Sequence, residues 1–487
     1  MKLRALLSVS SLALLCACTV GPNFTPPKGP RATAYLDRAD RPLPAHQRVE
    51  MTSAIAHNWW TTFRNNELNQ LITTALAANP TIAAARARLA AASEQVNQAA
   101  GAMLPQLALS GTVGRQQYGA ALFGPANFNI PPFTYYSVGP EVAFPLDLFG
   151  GQRRQLEEQT AFARYRAFEL DAADLSVAAE VTAQTLSLAA ASAQLRTLDE
   201  IIAADRRDVE LVKIARKAGS ANRTQLLSVE SQLALDRTLL PPLRQQQSAA
   251  RHGLAILLGK TPSAFTAPAF RLQDFTLPHT LRIGVPSALV HDRPDILAAE
   301  AQLHAASAAI GVATANLYPK IDLTANVAQE ALTPGGLFNS VAAAWSMAAN
   351  LSQPLFDGGQ LSAARRAAID SYKAALAQYR QTILSAFAQV SDRLEALAND
   401  AEEVRAQRAA TQTALASRNL ARRSYSVGYS GILDVIDAER QAARAELGLS
   451  RAKTKQLMDT AALYEALGAP GLVHEAQEER SATAMPS

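Results

Sequence analysis

Pro80-Thr81-Ile82-Ala83-Ala84-Ala85-Arg86-Ala87-Arg88-Leu89-Ala90-Ala91-Ala92-Ser93 returns 214 positions later as Pro294-Asp295-Ile296-Leu297-Ala298-Ala299-Glu300-Ala301-Gln302-Leu303-His304-Ala305-Ala306-Ser307. The match extends without a gap from 79–114 onto 293–328, so that Pro105, Leu109 and Val113 meet Pro319, Leu323 and Val327. Further on, Pro145-Leu146-Asp147-Leu148-Phe149-Gly150-Gly151-Gln152 returns one residue shorter as Pro354-Leu355-Phe356-Asp357-Gly358-Gly359-Gln360. Gly219, Glu230, Gln232 and Gly259 then reappear as Gly428, Glu439, Gln441 and Gly468, at an offset of 209. Matches in the same order mean one architecture written twice.

Each half reads as helix, two strands, a very long helix, a turn and a return helix. Period-two alternation marks the strands. Leu107, Leu109 and Val113 alternate with Gln106, Ser110 and Thr112, and Ile321, Leu323, Ala325 and Val327 with Lys320, Asp322, Thr324 and Asn326. Strands are expected at about 104–118, 134–148, 319–330 and 341–354. Ten residues with one apolar face suit an outer-membrane barrel, and equally suit hairpins on a soluble core. No proline or glycine falls between Gly151 and Gly219, or between Gly359 and Gly428, which predicts helices over 151–217 and 359–427. Each would reach about 100 Å. Return helices are expected at 222–258 and 431–467, the first broken by Pro241-Pro242. Residues 260–292 would link the repeats, 67–259 and 293–468, and 469–487 would form a tail. Four strands cannot enclose a lumen, so a barrel needs several copies of the chain. Three would give twelve strands.

Among 487 residues, 48% are hydrophobic and 18% charged, which excludes a disordered chain. The net charge of +4 is unclustered and gives no case for nucleic acid. After residue 20 no apolar run reaches about 18 residues, so a membrane would have to be crossed as a barrel. Residues 1–17 have the charged start and short apolar core of an export signal. Both cysteines, Cys16 and Cys18, lie there, leaving the mature chain without a disulfide or thiolate metal site. Leu15-Cys16-Ala17-Cys18 resembles the bacterial lipobox, which would make Cys18 the lipid-bearing first residue of segment 18–66. Thr19, in place of an aspartate, favours the outer membrane. The lipid is then the only attached group, and no cofactor is expected.

The seven histidines are scattered without a His-Glu-x-x-His pair, so neither a metal nor an enzyme is expected. Gly253 to Lys260-Thr261 has the wrong spacing for a phosphate loop, and no nucleophile elbow occurs. Trp59 and Trp60 read as packing residues. Asp434 and Asp437 share a helix face near the turn at Gly428, where a first-turn carboxylate also suits the helix dipole.

Several motifs in this order resemble the TolC/OprM-type outer-membrane efflux proteins of the NodT-like lipoprotein subgroup. They are Cys18-Thr19-Val20-Gly21-Pro22-Asn23-Phe24, Asn58-Trp59-Trp60, Ala75-Leu76-Ala77-Ala78-Asn79-Pro80, the paired Gly-Gly-Gln motifs and Tyr425-Ser426-Val427-Gly428. The resemblance implies an α+β membrane protein, a homotrimer whose twelve-stranded β-barrel continues into a periplasmic α-helical barrel. It implies passive export of small toxic compounds, with an inner-membrane RND-type transporter and a periplasmic adaptor as partners. Tyr425, Asp434 and Asp437 would line the periplasmic aperture, and the tips at Gly219 and Gly428 would meet the adaptor. The family's best-known member has a basic residue at the place of Ser430 and an acidic one at that of Gln225; this chain has neither. Alternatives are a type I protein-secretion duct, a heavy-metal cation duct and, from another class, a pore-less periplasmic coiled-coil lipoprotein.

Overall fold

A computed structural model describes residues 19–29, 34–36, 48–52, 57–118, 131–284 and 286–468. Along the chain, β1 (Arg48–Thr52) and a 3-10 turn (Trp59–Phe63) precede α1 (Asn66–Ala78), α2 (Pro80–Ala102), β2 (Gln106–Gln116) and β3 (Phe133–Leu146). The long α3 (Gly151–Lys217) leads to α4 (Arg223–Thr238) and α5 (Leu240–Leu257). After β4 (Thr280–Gly284), the pattern repeats with α6 (Pro286–Asp292), α7 (Pro294–Ala315), β5 (Lys320–Ala331), β6 (Ala343–Ser352), α8 (Gln360–Ser426) and α9 (Ile432–Leu467).

The glycine- and proline-free runs became helices of 67 residues each. The first return helix divides at Leu239, where Pro241 and Pro242 take up the first turn of α5, a place that needs no proline N–H. The second return helix is unbroken over 36 residues. The expected linker is not plain coil, for its β4 pairs in parallel with β1, from Arg48 opposite Thr280 to Thr52 opposite Gly284.

Two compact units arise from this chain. One gathers residues up to 27, 89–166 and 299–379; the other gathers 28–88, 167–298 and 380–487. In the first lies an antiparallel sheet of order β2-β3-β5-β6. Its register puts Leu107 opposite Val142, Phe144 opposite Leu323 and Val327 opposite Trp345, so apolar residues fall on one face across all four strands. Leu107, Leu109, Val113, Val327, Trp345, Met347 and Leu351 are all exposed. That face is a surface for lipid.

The same unit holds Thr19–Phe24. Arg154, 4% exposed, donates from Nε to the Val20 carbonyl at 3.1 Å and from Nη2 to the Gly21 carbonyl at 3.3 Å and Asn23 Oδ1 at 2.7 Å. Gly21 has φ 89°, and a Cβ there would lie 2.5 Å from the Cα of Gly311. Glu157 bridges Arg154 and His304, and Phe24 stacks on the His304 ring at 4.4 Å. The carboxyl of Glu157 is held below its usual range: burial opposes this, but the hydrogen bonds from His304 and Arg154 prevail.

The second unit is mostly helical and also holds the β1–β4 pair. Val209, Val212, Leu226, Val229 and Ile436 pack together near the turns, and Leu198, Ile201, Ile202 and Leu447 form the next cluster.

Candidate functional site at the helix turns

Both long helices end in the same hydrogen-bonded turn. Tyr429 N–H donates to the Ser424 carbonyl at 2.8 Å and Gly428 N–H to Tyr425 at 3.0 Å; Ser220 and Gly219 repeat this with Ala215 and Arg216. Gly428 and Gly219 have φ 78° and 75°, the left-handed conformation such a cap requires. Nothing lies within 4 Å of a Cβ built on either glycine. Around Gly428, Val427, Tyr429 and Leu433 are exposed, an apolar tip without cover from its own chain.

Tyr425 closes α8 and is 46% exposed. Asp434 sits in the first turn of α9, where it accepts a hydrogen bond from the Gly431 N–H at 3.0 Å. Asp437, one turn on, accepts from Gln441 Nε2 at 2.8 Å. Both carboxylates are exposed, and neither has a basic partner among the described residues. Gln225 instead forms a capping box, exchanging hydrogen bonds with Asn222 at 2.8 and 2.9 Å. The Ser430 hydroxyl is buried without a partner.

A charged layer lies beside these turns. Arg422, near the end of α8, grips Glu439 of α9 at 2.6 Å. Burial pushes Asp208 up to about 6, with Glu439 adding to the shift. Burial likewise raises Asp205 to about 7, helped by a hydrogen bond to the Asp236 carboxyl; Arg440 offsets part of this. Gln232 Nε2 steadies Asp236 at 2.8 Å. These residues escaped the sequence reading, although Asp205 stands where the spacing of Leu198, Ile201, Ile202, Val209 and Val212 calls for an apolar side chain. Trp59 and Trp60 are buried as expected, Trp59 stacked on Tyr464. Cys18 lies outside the described residues.

The model of the outer membrane efflux protein family matches residues 71–260 and 285–469, one stretch on each repeat. The chain belongs to the outer membrane efflux protein family. It is 30% identical over 462 residues to outer membrane protein OprJ of Pseudomonas aeruginosa, spanning 93% of each chain. Nodulation protein T of Rhizobium leguminosarum bv. viciae is 26% identical over 443 residues, 90% of this chain and 88% of that one. Among solved structures, the outer-membrane channel OprN superposes with a TM-score of 0.81 at 28% identity, covering 93% of this chain and 99% of that one. The open MtrE channel of Neisseria gonorrhoeae gives 0.76 at 26% identity, covering 93% and 98%.

The chain is thus an outer-membrane efflux channel with a periplasmic helical part. Its sheet is one protomer's share of the family's β-barrel, and its long helices are a share of the helical barrel.

Proposed function

We propose that three copies close their sheets into a twelve-stranded barrel and form a passive duct for small toxic organic compounds. The observation that carries this reading is the sheet, whose edge strands β2 and β6 have no further partner among the described residues while its apolar face is exposed. In lipid an open edge leaves backbone groups unpaired, so the edges must meet those of other copies. No cofactor takes part, and energy comes from an inner-membrane RND-type pump joined through a periplasmic adaptor. The turns at Gly428 and Gly219 are the adaptor's contacts, and Tyr425, Asp434 and Asp437 form the narrow periplasmic aperture. A lipid on Cys18 adds a second anchor. Relatives named for pyoverdine export and for toluene and antibiotic efflux support small organic cargo over a secreted protein. Native mass together with single-channel conductance in planar bilayers tests the reading. A trimer that conducts is expected; a stable monomer, or a trimer without conductance, overturns it.

A further inference from the structure

A cavity of about 310 Å³ opens between the Trp59–Phe63 turn, the segment 276–282 and α9. That is the lower end of the range for small-ligand sites. Its lining includes Arg64, His279 and Arg282 but no aspartate or glutamate. Glu50 faces Arg282 in the β1–β4 ladder, yet neither Arg64 nor Arg282 has an ion-pair partner among the described residues. Trp59, also in the lining, is 1% exposed, and its indole nitrogen is buried without an acceptor.

The two arginine-bearing segments are fixed to each other. Arg64 ends the 3-10 turn with φ 52°, the one positive φ outside glycine among the described residues, and its N–H donates to Thr61 at 3.0 Å. Thr276 N–H in turn donates to the Phe63 carbonyl at 3.0 Å. Tyr464 is not free to answer the indole, since its hydroxyl is engaged with Thr62.

Guanidinium and indole N–H groups donate and cannot accept. A ligand matched to them must be rich in acceptors and negatively charged; a cation would be repelled, and a neutral hydroxyl would leave both charges unmatched. We propose that this cavity binds an oxyanion, the carboxylate or phosphate group of a small ligand, between Arg64 and Arg282, with Trp59 in the cavity wall as its reporter. The site is separate from the helix turns and does not depend on the duct reading.

Full-length protein labelled with 5-fluorotryptophan carries three reporters, Trp59, Trp60 and Trp345. Titration with sodium phosphate, and separately with sodium acetate, against chloride at constant ionic strength should shift the Trp59 fluorine signal saturably and leave Trp345 unmoved. The probe that saturates at the lower concentration identifies the preferred oxyanion. Arg64→Gln with Arg282→Gln should weaken saturation at least tenfold. Should that pair disturb the fold, seen as displaced Trp60 and Trp345 signals before titration, the single exposed change Arg282→Gln gives the same reading. Absence of a saturable shift with both probes, or an unchanged titration in the arginine variants, overturns the site.

Discussion

Asn79 and Arg293 stand at the same place in the two repeats, and each donates to the matching place in its own return helix. Asn79 Nδ2 reaches the Leu257 carbonyl at 2.9 Å, and Arg293 Nη1 reaches that of Ala466 at 2.6 Å. Each precedes a proline that opens a helix. Each also abuts a glycine that ends one: a Cβ on Gly259 would lie 2.7 Å from the Ala78 carbonyl, and one on Gly468 2.9 Å from Arg293 Cγ. One joint is thus built twice with different chemistry.

The difference predicts unequal costs. Asn79→Ala should destabilise by about 1–2 kcal/mol, the cost of leaving a part-buried carbonyl unpaired. Arg293→Ala should cost about 2–4 kcal/mol, because Arg293 also holds Asp295 and Gln389 and is itself buried. Thermal unfolding in one detergent measures both, and equal losses would refute the ranking.

Duplication also predicts the register between copies. Within the chain Leu146 pairs with Ile321. Their repeat equivalents are Leu355 and Leu107, 97% and 73% exposed, and no strand among the described residues joins them. Leu355 of one copy should therefore oppose Leu107 of the next, and six residues along Ala349 should oppose Val113, apolar face matching apolar face. Directly opposed Cα atoms lie about 4.5–5.5 Å apart, within disulfide reach. Ala349→Cys with Val113→Cys should cross-link between copies on oxidation, whereas Ala349→Cys with Leu109→Cys should not. The reverse outcome would exclude this register.

The Asp205–Asp236 contact makes stability depend on pH. Between the ordinary carboxylate value near 3.8 and about 7, the folded chain keeps a proton on Asp205 that the unfolded chain has released. Stability therefore falls as pH rises through this window and is greatest on its acid side. Asp205→Asn should flatten that slope and raise stability at pH 8 by about 1–2 kcal/mol. Unfolding midpoints from pH 5 to 8, wild type against variant, test it; parallel curves would dismiss the pair as a proton store.

What the sequence reveals follows from the range of the forces involved. The long helices were legible because proline and glycine are absent from 152–217 and 360–427, and the break near Leu239 because proline removes a backbone donor. The parallel pairing of Arg48–Thr52 with Thr280–Gly284 was not, since five-residue segments far apart in the chain carry no period. Nor was the grip of Arg154 on Val20, Gly21 and Asn23, which depends on which acceptors tertiary folding brings near a guanidinium. Asp205 was readable as a polar residue in an apolar row, but its partner Asp236 was not.

If Cys18 carries the lipid, the mature chain begins two residues before Val20, the first residue held by Arg154. Intact mass should show an acylated N-terminus at Cys18, and Cys18→Ala should alter processing more than insertion, because the barrel anchors the protein too. An unmodified N-terminus would end the lipid proposal.

The aperture prediction rests on Tyr425, Asp434 and Asp437. In a trimer the two aspartates become a ring of six carboxylates, none with a basic partner among the described residues of its own chain, a charge pattern that attracts cations. Asn at both places removes the charge yet keeps a carbonyl oxygen to accept from Gly431 and Gln441, so the helix start should survive. Asp434→Asn with Asp437→Asn should therefore lower cation selectivity and weaken block by divalent cations while leaving thermal stability within about 1 kcal/mol. Tyr425→Ala, which removes bulk without charge, should raise conductance and leave selectivity nearly unchanged. Reversal potentials in a salt gradient separate the two effects. If the double aspartate variant kept both its selectivity and its divalent block, Asp434 would be a helix cap and Asp437 a surface carboxylate, and the constriction would lie elsewhere.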